Sequence, residues 1–276
     1  MNQVNESVID AERRSLFDWA ELWRYRELFY FFTWRDIKIK YKQTVLGFVW
    51  VVLQPLLMMI IFTLFFGRAL NVPSQNLPYP IFVFSGLLVW NMFSAGLTSS
   101  ANSMVNNSQI IKKIYFPRLV VPGAALLVSL FDFLMSFILF IGLLIIYGQE
   151  VSFHAIWAWP MSILLALVAT LGPGSWLAAL NIKYRDFRYV VPFLIQVLFF
   201  LTPVIYPVTF LKHDILQYLL ACNPIYGAIE LFRFPLNVEA GLNLNYFLIS
   251  GGSCLIILMI GVVYFRKTEN FFADLG

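Results

Sequence analysis

The stretch FVWVVLQPLLMMIIFTLFF, Phe48 to Phe66, carries no charged side chain. It is just long enough to cross a hydrocarbon core, which takes about 20 helical residues. Further apolar stretches follow. After the punctuation of Pro73, Pro78 and Pro80, residues 81–101 form a second span, 119–147 a third with length to spare for tilt, and 155–180 a fourth. Residues 190–205 make a short fifth and 246–265 a sixth. The runs are continuous rather than alternating, which points to helices and away from a strand barrel. The expected fold class is an all-α integral membrane protein with six transmembrane helices. Composition agrees: 60% of the residues are apolar and 12% charged, against roughly 45–50% and about 25% in soluble domains, so most of the surface must face lipid.

Charge placement orients the spans. Basic residues crowd the segment before span 1 (Arg13, Arg14, Arg24, Arg26, Arg35, Lys38, Lys40, Lys42), the 2–3 connection (Lys112, Lys113, Arg118), the 4–5 connection (Lys183, Arg185, Arg188) and the tail (Arg266, Lys267). Of the 19 Lys and Arg, only Arg68, Lys212 and Arg233 fall on the other side. By the positive-inside rule both termini are cytosolic. The same confinement to short segments argues against a nucleic-acid surface. No secretory signal is expected, because Asp10, Glu12, Arg13, Arg14, Asp18 and Glu21 interrupt any early apolar core.

The chain divides into a cytosolic N-terminal segment, 1–46, and a six-span membrane domain, 47–276. Within the former, Tyr30, Trp34, Ile37 and Tyr41 recur at spacings of four, three and four, one face of a helix, with Arg35, Asp36, Lys38 and Lys42 off that stripe. This reads as an amphipathic helix lying in the membrane interface. Between spans 5 and 6, residues 206–245 hold two apolar pieces too short to cross, Ile215 to Cys222 and Ile225 to Phe234, with Pro203, Pro207 and Pro224 as breaks. They predict exterior re-entrant helices.

Catalytic chemistry is sparse. His154 and His213 are the only histidines, neither accompanied by paired carboxylates. Cys222 and Cys254 have no metal-like spacing and read as small apolar side chains. No catalytic or metal site is expected. There is also no G-x-x-x-x-G-K-[ST] phosphate loop, so ATP, if it drives this chain, is hydrolysed by another polypeptide.

What remains is a polar and aromatic route. Asn91, Ser94, Thr98 and Asn102 form a stripe on span 2, just after Trp90. It must face a neighbouring helix or water, either as interhelical glue or as a pathway wall. Span 1 offers Trp50 and Gln54; span 5 and its end offer Gln196, Phe199, Phe200 and Tyr206. Aromatic faces beside amides suit a carbohydrate, whose ring face stacks while its hydroxyls need partners. Asp132, a carboxylate well inside span 3, reads as buried and hydrogen-bonded or neutral, since no ionisable partner is visible at its depth. The basic segment Asn107 to Arg118 and the charged Asn181 to Arg188 serve either as topology charge or as a docking surface for a cytosolic partner.

From Leu22 to Leu275 the chain resembles the permease subunits of type-2 ABC exporters, especially those that export O-antigen, teichoic acid or capsular polysaccharide. The residues that carry the likeness are KYKQTVLGFVWVVLQP (Lys40 to Pro55), IKKIYFPR (Ile111 to Arg118), NIKYRDFR (Asn181 to Arg188), TPVIYP (Thr202 to Pro207), NPIYGAIELFR (Asn223 to Arg233) and FAD (Phe272 to Asp274), in that order. The resemblance implies a homodimer with two cytosolic ATP-binding subunits that hold ATP and Mg2+, in a bacterial cytoplasmic (inner) membrane. Its implied substrate is a lipid-linked polysaccharide, O-antigen first, passing between the permeases. It implies ATPase contacts at Arg35, Lys38, Lys112, Lys113, Phe116, Pro117, Arg118, Arg185 and Asp186. An exterior gate follows at Pro203, Pro207, Asn223, Pro224, Glu230 and Arg233. Three other readings stay open: a drug or small-lipid exporter of the same type, a membrane-embedded glycosyl- or acyltransferase, and a channel or scaffold.

Overall fold

A computed structural model describes residues 23–42, 47–184, 186–211 and 213–269, and all regular structure among them is helical. Helix α1 runs Arg26–Lys42. Helix α2, Gly47–Phe62, continues into a π-helical stretch, Thr63–Ala69. Then come α3 (Tyr79–Asn106), α4 (Val120–Tyr147), α5 (Ala155–Lys183) and α6 (Phe187–Phe200). The short α7 (Asp214–Ala221) and α8 (Tyr226–Arg233) precede the closing α9 (Leu244–Glu269). The bundle has a near end, bearing α1, and a far end, bearing α7 and α8.

Among the described residues, five helices are long and apolar enough to cross a membrane: Val49–Ala69, Tyr79–Asn106, Val120–Tyr147, Ala155–Lys183 and Leu244–Glu269. They match predicted spans 1, 2, 3, 4 and 6. The predicted span 5 also runs from the near end to the far end, but only its first part is helix. Its helix has 14 residues, about 20 Å at 1.5 Å per residue, against a core of about 30 Å. It stops at Phe200, and residues 201–206 turn while Thr202, Pro203, Val204 and Ile205 stay buried. The reason is that this backbone bonds elsewhere. The carbonyls of Pro203 and Val204 accept from Arg233 at 2.8 and 2.6 Å, and that of Ile205 accepts from Tyr79 Oη at 2.8 Å. Irregular backbone at membrane depth is tolerated when protein groups satisfy it in this way. The pair Asp214–Ala221 and Tyr226–Leu236 is bent by 97° at the short break that holds Pro224.

Helix α3 is the centre of the bundle. Over its most apolar stretch 78% is buried, against 11% for the α2 stretch, so α3 is enclosed by protein while α2 presents most of its surface outward. Helices α4 and α5 pack on α3, and α9 packs on α5. The core toward the far end is aromatic: Phe232 lies 5.5 Å from Phe140, 5.8 Å from Trp159 and 6.0 Å from Phe133 between ring centroids, a spacing at which aromatic pairs attract. A second cluster at the near end joins Phe32, Met104, Ile111, Phe116, Val120, Ala178, Val262 and Phe265. It ties α1 to the ends of α3, α5 and α9 and to the start of α4.

The aromatic stripe of helix α1 divides, with its first two residues facing outward and its last, Tyr41, packed on α4. Tyr30 and Trp34 are exposed and stack on each other at 6.4 Å, while the opposite side, Phe29 and Phe32, packs inward. Its contacts advance along α4 from Phe29 at Gly123, through Thr33 Oγ1 at the Ala124 carbonyl (3.3 Å), to Tyr41 at Phe131. The helix therefore climbs beside α4.

Candidate functional site

Helices α2, α3, α4 and α6, with the last turn of α1, enclose a cleft of about 670 Å3. Its walls are Trp50, Val51, Gln54 and Pro55 from α2; Asn91, Ser94, Thr98 and Ser99 from α3; Asp132 and Ser136 from α4; Pro192 and Ile195 from α6; and Lys40 from α1. The cleft runs from the near end, at Lys40 and Gly47, to Leu88 and Met92, half-way along α3. An indole, two amides and four hydroxyls thus share one apolar-backed space, and Trp50 is half exposed within it. That mixture can stack on the face of a sugar ring and exchange hydrogen bonds with its hydroxyls.

The span 2 stripe divides between its two readings. Ser94 Oγ donates to the Asn91 carbonyl at 3.3 Å, Thr98 Oγ1 to the Ser94 carbonyl at 2.8 Å, and Asn102 Nδ2 to the Thr98 carbonyl at 2.9 Å. The first three residues line the cleft. Asn102 turns instead to α5, where its Oδ1 accepts from Asn181 Nδ2 at 3.0 Å, a packing bond between helices.

The other route candidates stand outside the cleft. Trp90 is 4% exposed, packed against Phe93 and Phe199 with both ring pairs at 5.4 Å. Phe199 also stacks on Phe62 at 5.7 Å. Gln196 and Phe200 are exposed on the outer side of α6, and Tyr206 Oη donates back to the Phe200 carbonyl at 2.7 Å.

Asp132 is hydrogen-bonded, as its depth demands, but it also has the ionisable partner that the sequence did not reveal. Lys40 Nζ bonds one carboxylate oxygen and Tyr41 Oη the other. Asp132 sits about 18 Å along α4 at 1.5 Å per residue. Tyr41 stays protonated to make its bond, because burial, and then the neighbouring carboxylate, push its pKa well above the ordinary value. The signal available in sequence was the rule that an intramembrane carboxylate needs a cation, applied to the basic helix before span 1.

The near-end docking candidates divide by exposure. Lys112, Lys113 and Asp186 are exposed, as are Ile114 and Tyr115 beside the lysines. Phe116 and Pro117 are buried; Phe116 packs on Phe32 at 5.7 Å. Arg118 bonds the Glu269 carbonyl, and its backbone N–H donates to Glu269 Oε1 at 3.2 Å, closing α4 against the end of α9. Arg35 is held by Asp36 at 2.8 Å and by Asn107 Oδ1 at 2.6 Å, with its guanidinium 4.9 Å over Phe32. Lys38 is exposed and lies 5.2 Å from the Trp34 ring. Arg185 and the FAD tail segment lie outside the described residues.

At the far end Arg233 is a buried staple. Its side chain is 3% exposed and reaches the carbonyls of Pro203, Val204 and Phe82 and the hydroxyl of Ser85 (3.3 Å), with its guanidinium 3.8 Å over the Phe82 ring. Glu230 Oε1 lies 3.6 Å away. Gly86 leaves room for it, since a Cβ there would fall 2.4 Å from Arg233 Nη2. Asn223 Nδ2 donates to Thr202 Oγ1 at 2.7 Å and its Oδ1 accepts from the Ile225 N–H at 3.2 Å, shaping the bend at Pro224. Pro203 and Pro207 are buried behind it.

A multi-span helical bundle with a polar cleft and a broken pair of helices before its last span defines a membrane transport subunit, and the chain belongs to the family described as ABC-2 type transporter, which matches residues 27–236. It is similar to the O-antigen export system permease protein RfbA of Myxococcus xanthus, 34% identical over 77% of this chain and 81% of that protein. RfbA of Klebsiella pneumoniae is 29% identical over 87% of this chain and 92% of its own length. The polysialic acid transport protein KpsM of Escherichia coli is 24% identical over 86% and 91%.

Proposed function

We propose that this chain is the permease subunit of an exporter that carries a lipid-linked polysaccharide, O-antigen first, across the bacterial inner membrane. It works as a homodimer with two cytosolic subunits that bind ATP and Mg2+, and both its termini are cytosolic, so the near end is the cytosolic end. The cleft carries this reading: a family member with O-antigen permeases among its relatives has Trp50, Gln54, Asn91, Ser94 and Thr98 together around a volume fit for sugar rings. Capsular polysaccharide is the second reading, supported by the similarity to KpsM.

The division of labour follows from the packing. The exposed Lys112, Lys113, Lys38 and Asp186 meet the ATPase, and the buried cluster around Phe32 and Phe116 carries its motion into α1, α3 and α4. A nucleotide can shift the permease only by favouring one of its conformations, and this cluster is where that preference is felt. The α7–α8 pair dips in from the outside and, with Pro203, Pro207, Asn223 and Pro224, gates the exit, while Glu230 and Arg233 anchor the gate to α3.

The test is genetic and biochemical. Removal of the gene should abolish the surface polysaccharide, and the chain should copurify with an ATPase encoded beside it. Unchanged polysaccharide together with no such complex would sink the proposal. A drug exporter would instead tolerate Ala at Asn91, Ser94 and Thr98.

A further inference from the structure

We propose that the contact of Lys40 and Tyr41 with Asp132 is a latch that each transport cycle opens, so that α1 sets the width of the cleft at its cytosolic end. The inference rests on the transport reading above. Both oxygens of Asp132 are taken by the last turn of α1, one by Lys40 and one by Tyr41. Lys40 and Asp132 also line the cleft, so the pair is part of the wall that a substrate must pass.

The pair is built to part. The Lys40 side chain is 42% exposed and that of Asp132 15%. On separation the ammonium returns to water at little cost, whereas the carboxylate is left in the cleft and needs new donors. Among the hydroxyls of the empty cleft, Ser94 and Thr98 already donate to carbonyls of α3 and Ser136 to the Val51 carbonyl, so few donors are left for the carboxylate. A hydroxyl-rich ligand in the cleft supplies them, which makes opening depend on cargo. Below the latch the α1–α4 seam is held by the Phe29 ring against Gly123, by the hydroxyl bond from Thr33 and by Phe32 in the buried cluster. Phe32 and Arg35, the latter on Asn107, fix the middle of α1 and serve as the pivot, so the part that swings is the last turn with Lys40 and Tyr41.

The test uses the complex with its ATPase in vesicles, with Cys222→Ser and Cys254→Ala removing the native thiols. Tyr41→Cys with Phe131→Cys, at the 5.6 Å ring contact beside the latch, joins the last turn of α1 to α4 and leaves Lys40 and Asp132 intact. Oxidation should lower export at least tenfold and reduction restore it, while an oxidised complex that exports like the reduced one overturns the latch. A second arm does not need the disulfide. Lys40→Asp alone should raise ATP hydrolysis without substrate severalfold while export falls, and Lys40→Asp with Asp132→Lys should bring both back toward the native values. A purely structural role predicts that hydrolysis and export fall in equal proportion with no rescue by the swap, and that result also overturns the latch. Failure of the native complex to export would remove the transport reading itself.

Discussion

Gly172 and Gly261 bring α5 and α9 into backbone contact: a Cβ on Gly261 would lie 2.0 Å from the Gly172 carbonyl oxygen, and one on Gly172 would lie 2.7 Å from Leu258 Cα. Small residues allow this approach between spans, where packing rather than the hydrophobic effect holds helices together. Backbone cannot step aside as a side chain can. Gly261→Ala should therefore cost about 3 kcal/mol, the upper part of the range for overpacking. Gly251→Ala and Gly252→Ala, on the same helix with nothing within 4 Å, should be neutral. Thermal unfolding of the detergent-solubilised chain separates the three.

Arg233 holds together α8, the 201–206 turn and the start of α3. Arg233→Met leaves the carbonyls of Pro203 and Val204 without their donor and Glu230 without its cation. Breaking one side of a buried pair costs about 3–5 kcal/mol. Adding Glu230→Gln should recover part of that loss. Protease sensitivity of the segment between Tyr206 and Pro224 is the readout, and equal resistance in native and Arg233→Met chains would count against the staple.

In the cleft, Trp50→Ala should reduce export at least about fivefold, the effect of losing one stacking contact of about 1–3 kcal/mol, while Trp50→Phe retains most of it. Asn91→Ala should act in the same direction. Trp90→Ala, outside the cleft, should instead lower stability. Export assays paired with unfolding midpoints distinguish these outcomes.

At the near end, Lys112→Glu with Lys113→Glu should, on the proposed docking role, weaken copurification of the ATPase about tenfold and leave the unfolding midpoint of the isolated chain unchanged, since both side chains are exposed. Phe116→Ala should do the reverse, lowering stability by about 3–5 kcal/mol through the cavity it leaves beside Phe32.

The long spans were legible because an uninterrupted apolar run has one stable conformation in lipid; the ends of α4 and α5 fall where the charges and glycines of the sequence put them. The break that ends the helix of span 5 at Phe200 was not legible, for a reason internal to composition. TPVIYP is as apolar as the helix before it, and nothing local reveals that its carbonyls belong to Arg233. The spacing of Asn91, Ser94, Thr98 and Asn102 gave the helix face correctly, yet the turn of Asn102 toward Asn181 depends on a residue 79 positions away. Lys40 was hidden likewise, being charged and placed before the first span, and only the fold carries it to Asp132. Phe116 and Pro117 looked accessible because their neighbours Lys112 to Tyr115 are.

The self-bonding of the α3 stripe bears on how the protein is made. Helix α3 leaves the ribosome before α4, α5 and α8, the helices that later surround it, and so must wait in the translocon or in bare lipid with its polar side chains uncovered. Ser94, Thr98 and Asn102 direct their protons to carbonyls of their own helix, which lowers the cost of that wait. Two of these groups, Ser94 and Thr98, also line the cleft, so insertion of the segment and the chemistry of that space set a joint limit on which polar residues the stripe can hold.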